Sequence, residues 1–250
     1  MIRYKLREFY RNKYRFRKFK VLSRCACLGN RIIKDLGWEK NSVNHQKSRV
    51  DYILEYKKSK VPSLSDVKKL LRNSYIIGTI EQQRYDFFSY KKPDLIFIDS
   101  YSELTDQIFI NDQEKVFLAN YSDVKEEKMG YLNYKCEGLL NKDFLYKNYY
   151  SFFKKVESVY PGVTVVFIHF PSALESREKY VERAQCIFEV IEDLKNTFPF
   201  LISLSLPSEK VLSASKGSEE FKKLPYHYDE SVYEEFIALL RNSGVIDYNE

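Results

Sequence analysis

The sequence predicts an α/β fold in three layers: a mostly parallel sheet of about five strands with helices on both faces. Three observations carry that prediction. Residues 163–170 (VTVVFIHF) are almost continuously apolar, as a strand buried on both faces is. Residues 94–99 (DLIFID) form a second such run, entered from Pro93 and left through a polar turn. Apolar stripes at helical spacing lie around these runs: Leu145, Tyr149, Phe152 and Val156, then Tyr180, Ala184, Ile187, Ile191 and Leu194.

The remaining elements follow in order. Residues 19–25 (FKVLSRC) read as the first strand, followed by a helix-like stretch to Leu36. Residues 75–80 (YIIGTI) read as a weaker strand and residues 115–119 (KVFLA) as a short extra one. Residues 200–206 (FLISLSL) supply another strand. The last helix carries Val232, Phe236 and Leu240 on one face, and Ser231 with Glu234 three residues on forms a capping box at its start. Residues 37–73 and 101–141 are excursions around the sheet, so residues 19–250 are expected to form one domain behind a distinct segment, 1–18.

That segment concentrates the charge. The chain of 250 residues has a net charge of +6, but residues 1–20 hold nine Lys or Arg against the single acid Glu8. The first twenty residues therefore carry +8 and the other 230 sum to −2. Arg3, Arg7, Arg11, Arg15 and Lys18 alternate with Ile2, Leu6, Phe9 and Phe16. Such a segment suits the surface of an anionic membrane, with aromatics inserted and cations at lipid phosphates. It equally suits a basic helix packed on the domain. Nucleic-acid binding is disfavoured, because a near-neutral body offers no basic face.

Composition narrows the class further. Apolar residues make up 44% and charged residues 30%, and 21 Tyr with 18 Phe can fill a large core, which excludes wholesale disorder. Only 8 glycines are present, so glycine-rich phosphate loops do not dominate the chemistry. Cys25, Cys27, Cys136 and Cys186 suit neither a disulfide framework nor a zinc knuckle. Read as reduced thiols, they indicate a cytoplasmic protein, and no resident cofactor or metal is expected. No apolar run reaches the roughly 18 residues of a membrane span, and the basic start lacks the apolar core of a secretory signal.

In a parallel sheet, ligands bind outside the carboxyl ends of the strands. The first strand ends at Ser23, Arg24 and Cys25, the DLIFID strand at Asp99 and Ser100, and the VTVVFIHF strand near His169; His227 precedes the final helix. A thiol at a strand-to-helix junction gains from the helix N-terminus, which favours a thiolate and a developing oxyanion. His227 is placed to act as its general base. The competing reading makes Cys25 and Cys27 small packing residues. His169, inside an apolar run, reads as a core histidine, and His45 has no assignable context.

The stretch from His227 through Tyr228, Asp229, Glu230, Ser231, Val232 and Tyr233 to Phe236 resembles the last block of SGNH/GDSL hydrolases, where the catalytic histidine precedes a C-terminal helix. The turn Val21-Leu22-Ser23-Arg24-Cys25 is similar to the nucleophile block of branches that carry Gly-Ser-Cys, several of them linked to polysaccharide biosynthesis. The resemblance implies a flavodoxin-like three-layer fold over residues 19–243. It implies Cys25 and His227 as catalytic residues, with Ser23, Arg24, Asp99 and Ser100 at the substrate or oxyanion. Acetyl-coenzyme A is the implied donor substrate. The departures are that Ser23 replaces the glycine, Arg24 the acid, and Leu224 the aspartate three residues before the histidine. Arg24 could instead hold a phosphate or carboxylate of the substrate.

Two functions of different class follow. One is an acyl (acetyl) transferase or esterase acting on a cell-surface polysaccharide or its lipid-linked precursor at the inner membrane surface. The other is a non-catalytic module with a degenerate triad that binds a glycan or a partner.

Overall fold

The computed structural model describes residues 19–73, 76–218 and 224–246. The basic segment 1–18, with Arg3, Arg7, Arg11, Arg15 and Lys18, lies outside them. Among the described residues the strands are β1 Val21–Arg24, β2 Ser42–Asn44, β3 Leu95–Asp99, β4 Asp106–Asn111, β5 Val116–Asn120, β6 Tyr134–Cys136, β7 Thr164–Ile168 and β8 Leu201–Leu204. The longer helices are α1 Cys27–Asp35, α2 Lys142–Val159, α3 Glu178–Lys195 and α4 Glu230–Asn242.

The predicted parallel sheet is present, in the order β2-β1-β3-β7-β8. Every pairing in it is parallel, with Leu22 opposite Ile96, Ile96 opposite Val165, and Val165 opposite Leu201. Each residue of β3 is buried, which explains why DLIFID shows no polar alternation: helices cover both faces. α1 packs with α4, and α2 with α3. Phe152, Phe153, Phe167, Phe198 and Phe236, each at most 1% exposed, join the shared core.

Three expectations are corrected. The fifth strand comes from β2, inside the excursion 37–73. Of residues 75–80, expected as a strand, Ile77 to Ile80 belong to the helix Ile77–Gln82, and Tyr75 lies outside the described residues. Ile76 and Ile80 both enter a second core while Gly78, midway between them, is exposed, as one face of a helix allows and strand alternation does not. The excursion 101–141 builds a second, antiparallel sheet in the order β5-β4-β6. Phe109 and Phe117 stack across it with ring centroids 5.0 Å apart.

A further correction bears on the site. Asp229 caps α4, accepting a hydrogen bond from the Ser231 N–H at 3.2 Å. Ser231 is already inside the helix, so the capping box assigned to it does not form.

Candidate active site

The exit from β1 is a rigid turn. Asn44, unassigned by sequence, brackets the backbone of Cys25: its Oδ1 accepts from the Cys25 N–H at 2.9 Å and its Nδ2 donates to the Cys25 carbonyl at 2.9 Å. Ser23 is fully buried and donates to Asn44 Oδ1 at 3.2 Å. It therefore fixes the turn and does not line an opening.

Arg24 is likewise turned inward. It pairs with Glu103 at 2.5 Å and also donates to the Tyr149 hydroxyl at 2.7 Å and the Ser48 carbonyl at 3.1 Å. Burial pulls its pKa down, but Glu103 and Tyr149 more than offset that and leave it raised. A guanidinium so occupied is not available to a substrate phosphate or carboxylate.

Cys25, expected as the cleft-facing nucleophile, belongs to the core. It is 1% exposed and its thiol donates to the Phe97 carbonyl at 3.3 Å. Burial, then the charge of Asp99, pushes the thiol well above its ordinary range. α1 presses directly on it: a Cβ at Gly29 would stand 2.4 Å from the Cys25 sulfur and 3.1 Å from Asp99 Oδ2. Glycine is required there by close approach.

Asp99 and Ser100 complete the floor. Asp99 Oδ2 accepts from the N–H groups of Ala26 at 2.7 Å and Gly29 at 3.3 Å, and Oδ1 accepts from Tyr101 N–H at 3.2 Å. Burial raises its pKa to about 7, with those N–H groups and Arg24 acting against the rise. Ser100 Oγ accepts from Phe170 N–H at 2.9 Å, tying the end of β3 to the end of β7. Both residues are buried, at 1% and 3% exposure, so they support the opening from below.

The thiol that reaches the surface at this edge is Cys27, the first residue of α1. Its sulfur lies 3.5 Å from the carbonyl oxygen of Tyr226, a residue 199 positions away and the immediate neighbour of half-buried His227. Crowding around the sulfur, then Asp99, raises its pKa to about 12, while the N–H groups of Leu28 and of Cys27 itself favour the thiolate. The fold thus brings the helix N-terminus and the histidine loop together, with Cys27 in the place assigned to Cys25. The signal was the Cys-x-Cys spacing: the strand ends at Arg24, and two further residues pass before the helix starts.

The histidine loop is held along its length. His227 N–H donates to the Leu224 carbonyl, its own carbonyl accepts from Ala214 N–H, and Asp229 N–H donates to Leu212. Tyr226 OH donates to Glu175 at 2.6 Å, and Glu175 is paired with Arg177 at 2.7 Å. The Arg177 hydrogen bonds hold the Glu175 carboxyl down at about 2. Tyr228 OH donates to the Pro171 carbonyl at 2.9 Å. Tyr101, Phe170 and Tyr226 form an aromatic wall, with ring centroids 5.1 Å apart for Tyr101–Phe170 and 5.5 Å for Tyr101–Tyr226. Sequence reading gave no role to Tyr101, which opens a short helix, or to Tyr226 and Glu175, which sit on loops.

His169 and His45 are interior, as expected for the first. Burial lowers both to about 4, and His169 Nε2 pairs with Ser203 Oγ at 2.9 Å. Among the described residues, no three His, Cys, Asp or Glu side chains converge as metal ligands, and no helix is long and apolar enough to cross a membrane.

No protein-family profile and no curated protein matches the chain. Among solved structures it is similar to an acetyl xylan esterase from the rumen bacterium Butyrivibrio proteoclasticus, with a TM-score of 0.42 and 12% identity. The match covers 92% of this chain and 65% of that one, so this chain spans less than two thirds of that esterase's length.

Proposed function

We propose that this protein is an acyl-transfer enzyme, an ester hydrolase or O-acyltransferase, with Cys27 as nucleophile and His227 as general base. The observation that supports it most directly is the 3.5 Å approach of the Cys27 sulfur to the Tyr226 carbonyl, which sets a helix-terminal thiol beside the histidine loop at the carboxyl edge of the sheet. With its pKa raised to about 12, the resting group is a thiol. The imidazole therefore takes the proton as sulfur attacks, rather than sharing a preformed ion pair.

The S–H proton passes to His227 as sulfur adds to the acyl carbonyl. The N–H groups of Cys27 and Leu28, which already act on the sulfur, serve the developing oxyanion. The bond to the leaving group breaks, and that group departs with the proton held by the imidazolium. In the second half, an acceptor hydroxyl gives its proton to His227 and adds to the thioester, and the C–S bond breaks to regenerate the thiol. Water as acceptor gives an esterase; a glycan hydroxyl gives a transferase. A cell-surface polysaccharide or its lipid-linked precursor is the acceptor class, acetyl-coenzyme A the donor class, and the basic segment 1–18 the part that holds the enzyme at an anionic membrane surface.

A second reading draws on a separate observation. Asp99 already occupies the N–H groups of Ala26 and Gly29, which weakens the anion-stabilising power of this helix start. A glycan-binding module without catalysis is consistent with that. Turnover of p-nitrophenyl acetate and of acetyl-coenzyme A by the wild type, Cys27→Ala and His227→Ala separates the two. The enzyme reading requires each variant to lose about 10²-fold or more in rate; equal slow turnover by all three favours the binding module.

A further inference from the structure

Beyond the histidine loop, at the carboxyl ends of β7 and β8, the fold forms a solvent-open cavity of about 230 Å³ against α3. Pockets for drug-sized ligands run from about 300 Å³ upward, and a cavity of about 150 Å³ holds a benzene ring. This one fits a single six-membered ring with its substituents.

Its lining specifies the ring's chemistry. Ser172, Ser205 and Ser208 offer hydroxyls that both donate and accept, and Phe170 and Phe188 offer apolar faces. His169 contributes from the floor. Burial keeps its imidazole neutral at pH 7. Its Nε2 faces the Ser203 hydroxyl, which also bonds the Glu192 carboxylate. With the Ser203 proton directed to Glu192, Nε2–H is the donor to Ser203 and Nδ1 is left as an acceptor. No Lys, Arg, Asp or Glu is among the described residues lining the cavity. A charged ligand would lose hydration here and gain no counter-charge.

The cavity shares a wall with the candidate site. Phe170, one of its walls, lies 5.9 Å from the Tyr226 ring and 6.3 Å from the Tyr228 ring, and these two tyrosines flank His227. Pro171, also in the lining, accepts the Tyr228 hydroxyl.

We infer that this cavity is a subsite for one uncharged sugar ring, selecting neutral over acidic or phosphorylated residues of the glycan. Its role as acceptor subsite rests on the acyl-transfer reading; the binding itself does not. The test is therefore one of binding, made on the full chain carrying Cys27→Ala so that turnover plays no part. Saturation-transfer NMR uses the methyl glycosides of glucose, galactose and N-acetylglucosamine, with glucuronic acid and glucose 6-phosphate as charged probes.

At least one neutral glycoside is expected to receive saturation, with the charged sugars bound at least about tenfold more weakly. Ser205→Tyr, which fills the cavity from an exposed position, and Phe188→Ala, which removes a wall, should each weaken the neutral sugar about tenfold while circular dichroism stays unchanged. The inference is overturned if no neutral glycoside binds, if charged sugars bind as well, or if neither variant alters binding. Sugar binding that persists when Cys27 and His227 prove dispensable for acyl transfer would remove the acyl-transfer reading and leave the subsite standing.

Discussion

The Asp99 carboxylate accepts a 2.7 Å hydrogen bond from the Ala26 N–H, so the start of α1 already holds an anion belonging to the protein. Cys27 begins that helix one residue later. Its sulfur feels the helix N-terminus and the carboxylate at once, with opposite consequences for a thiolate. Burial raises the Cys27 pKa first and the carboxylate adds to it, which makes a base in the histidine loop a requirement of the proposed chemistry.

Asp99 gives the protein a signature in its pH dependence. Its folded pKa of about 7 exceeds the ordinary 3.8, chiefly through burial. The folded state therefore holds an extra proton between these values, and this group's contribution to stability falls as pH rises from about 4 to about 7. His45 and His169, lowered to about 4 by burial, act in the opposite direction and lose stability as pH falls from 6.5. Subtracting the stability curve of Asp99→Asn from that of the wild type isolates the first effect. The difference should change monotonically across that window, by at most about 4 kcal/mol at roughly 1.4 kcal/mol per unit. A flat difference would show that Asp99 titrates normally.

The two neighbouring thiols should differ in reactivity. Cys25 is closed under α1 and Cys27 is exposed. Peptide mapping after iodoacetamide treatment of the folded protein should find label on Cys27 and none on Cys25 until denaturant is added. Labelling of Cys27 should be slower than that of a free cysteine at pH 7.5, since little thiolate is present. Faster labelling of Cys25 would invert the site.

The Arg24–Glu103 pair can be removed as a unit more cheaply than by halves. Either Arg24→Met or Glu103→Gln alone strands a buried polar or charged partner and should cost about 3–5 kcal/mol. The double variant Arg24→Met/Glu103→Leu should recover much of that loss in urea titrations. Additive losses would show that the two side chains act independently.

The division of charge predicts a separable membrane function. Deleting residues 1–18 removes eight of the 41 basic residues together with Glu8. The truncated protein should no longer sediment with vesicles containing phosphatidylserine, while the full chain does so in a salt-sensitive manner. Equal sedimentation of the two would assign the attachment elsewhere or remove it.

The sequence showed the parallel sheet clearly because its central strands are buried on both faces, so DLIFID and VTVVFIHF stand out as unbroken apolar runs. It concealed β2, whose three residues Ser42, Val43 and Asn44 are all partly or fully exposed and show no pattern. Of the second sheet it showed only residues 115–119, which fall in β5, and concealed β4, where Asp106, Gln107 and Asn111 interrupt the apolar positions, and β6, which is three residues long. At the site, the histidine loop was legible from its position before the last helix. The identity of the outward thiol was not, since Cys25 and Cys27 are chemically equal and only the point where the helix begins decides which one is covered. The roles of Ser23 and Arg24 were hidden for a related reason. Their partners Asn44, Glu103 and Tyr149 are 21, 79 and 125 residues away.

The most direct test of the central claim is to trap the acyl-enzyme. The wild type and His227→Ala are mixed with p-nitrophenyl acetate, quenched in acid within the first turnover and digested for mass spectrometry. The account predicts one acetyl group on the peptide containing Cys27, located on that residue by fragmentation, released by hydroxylamine, and formed at least about 10²-fold more slowly in His227→Ala. An adduct that formed equally fast without His227, or that sat on another residue, would contradict it.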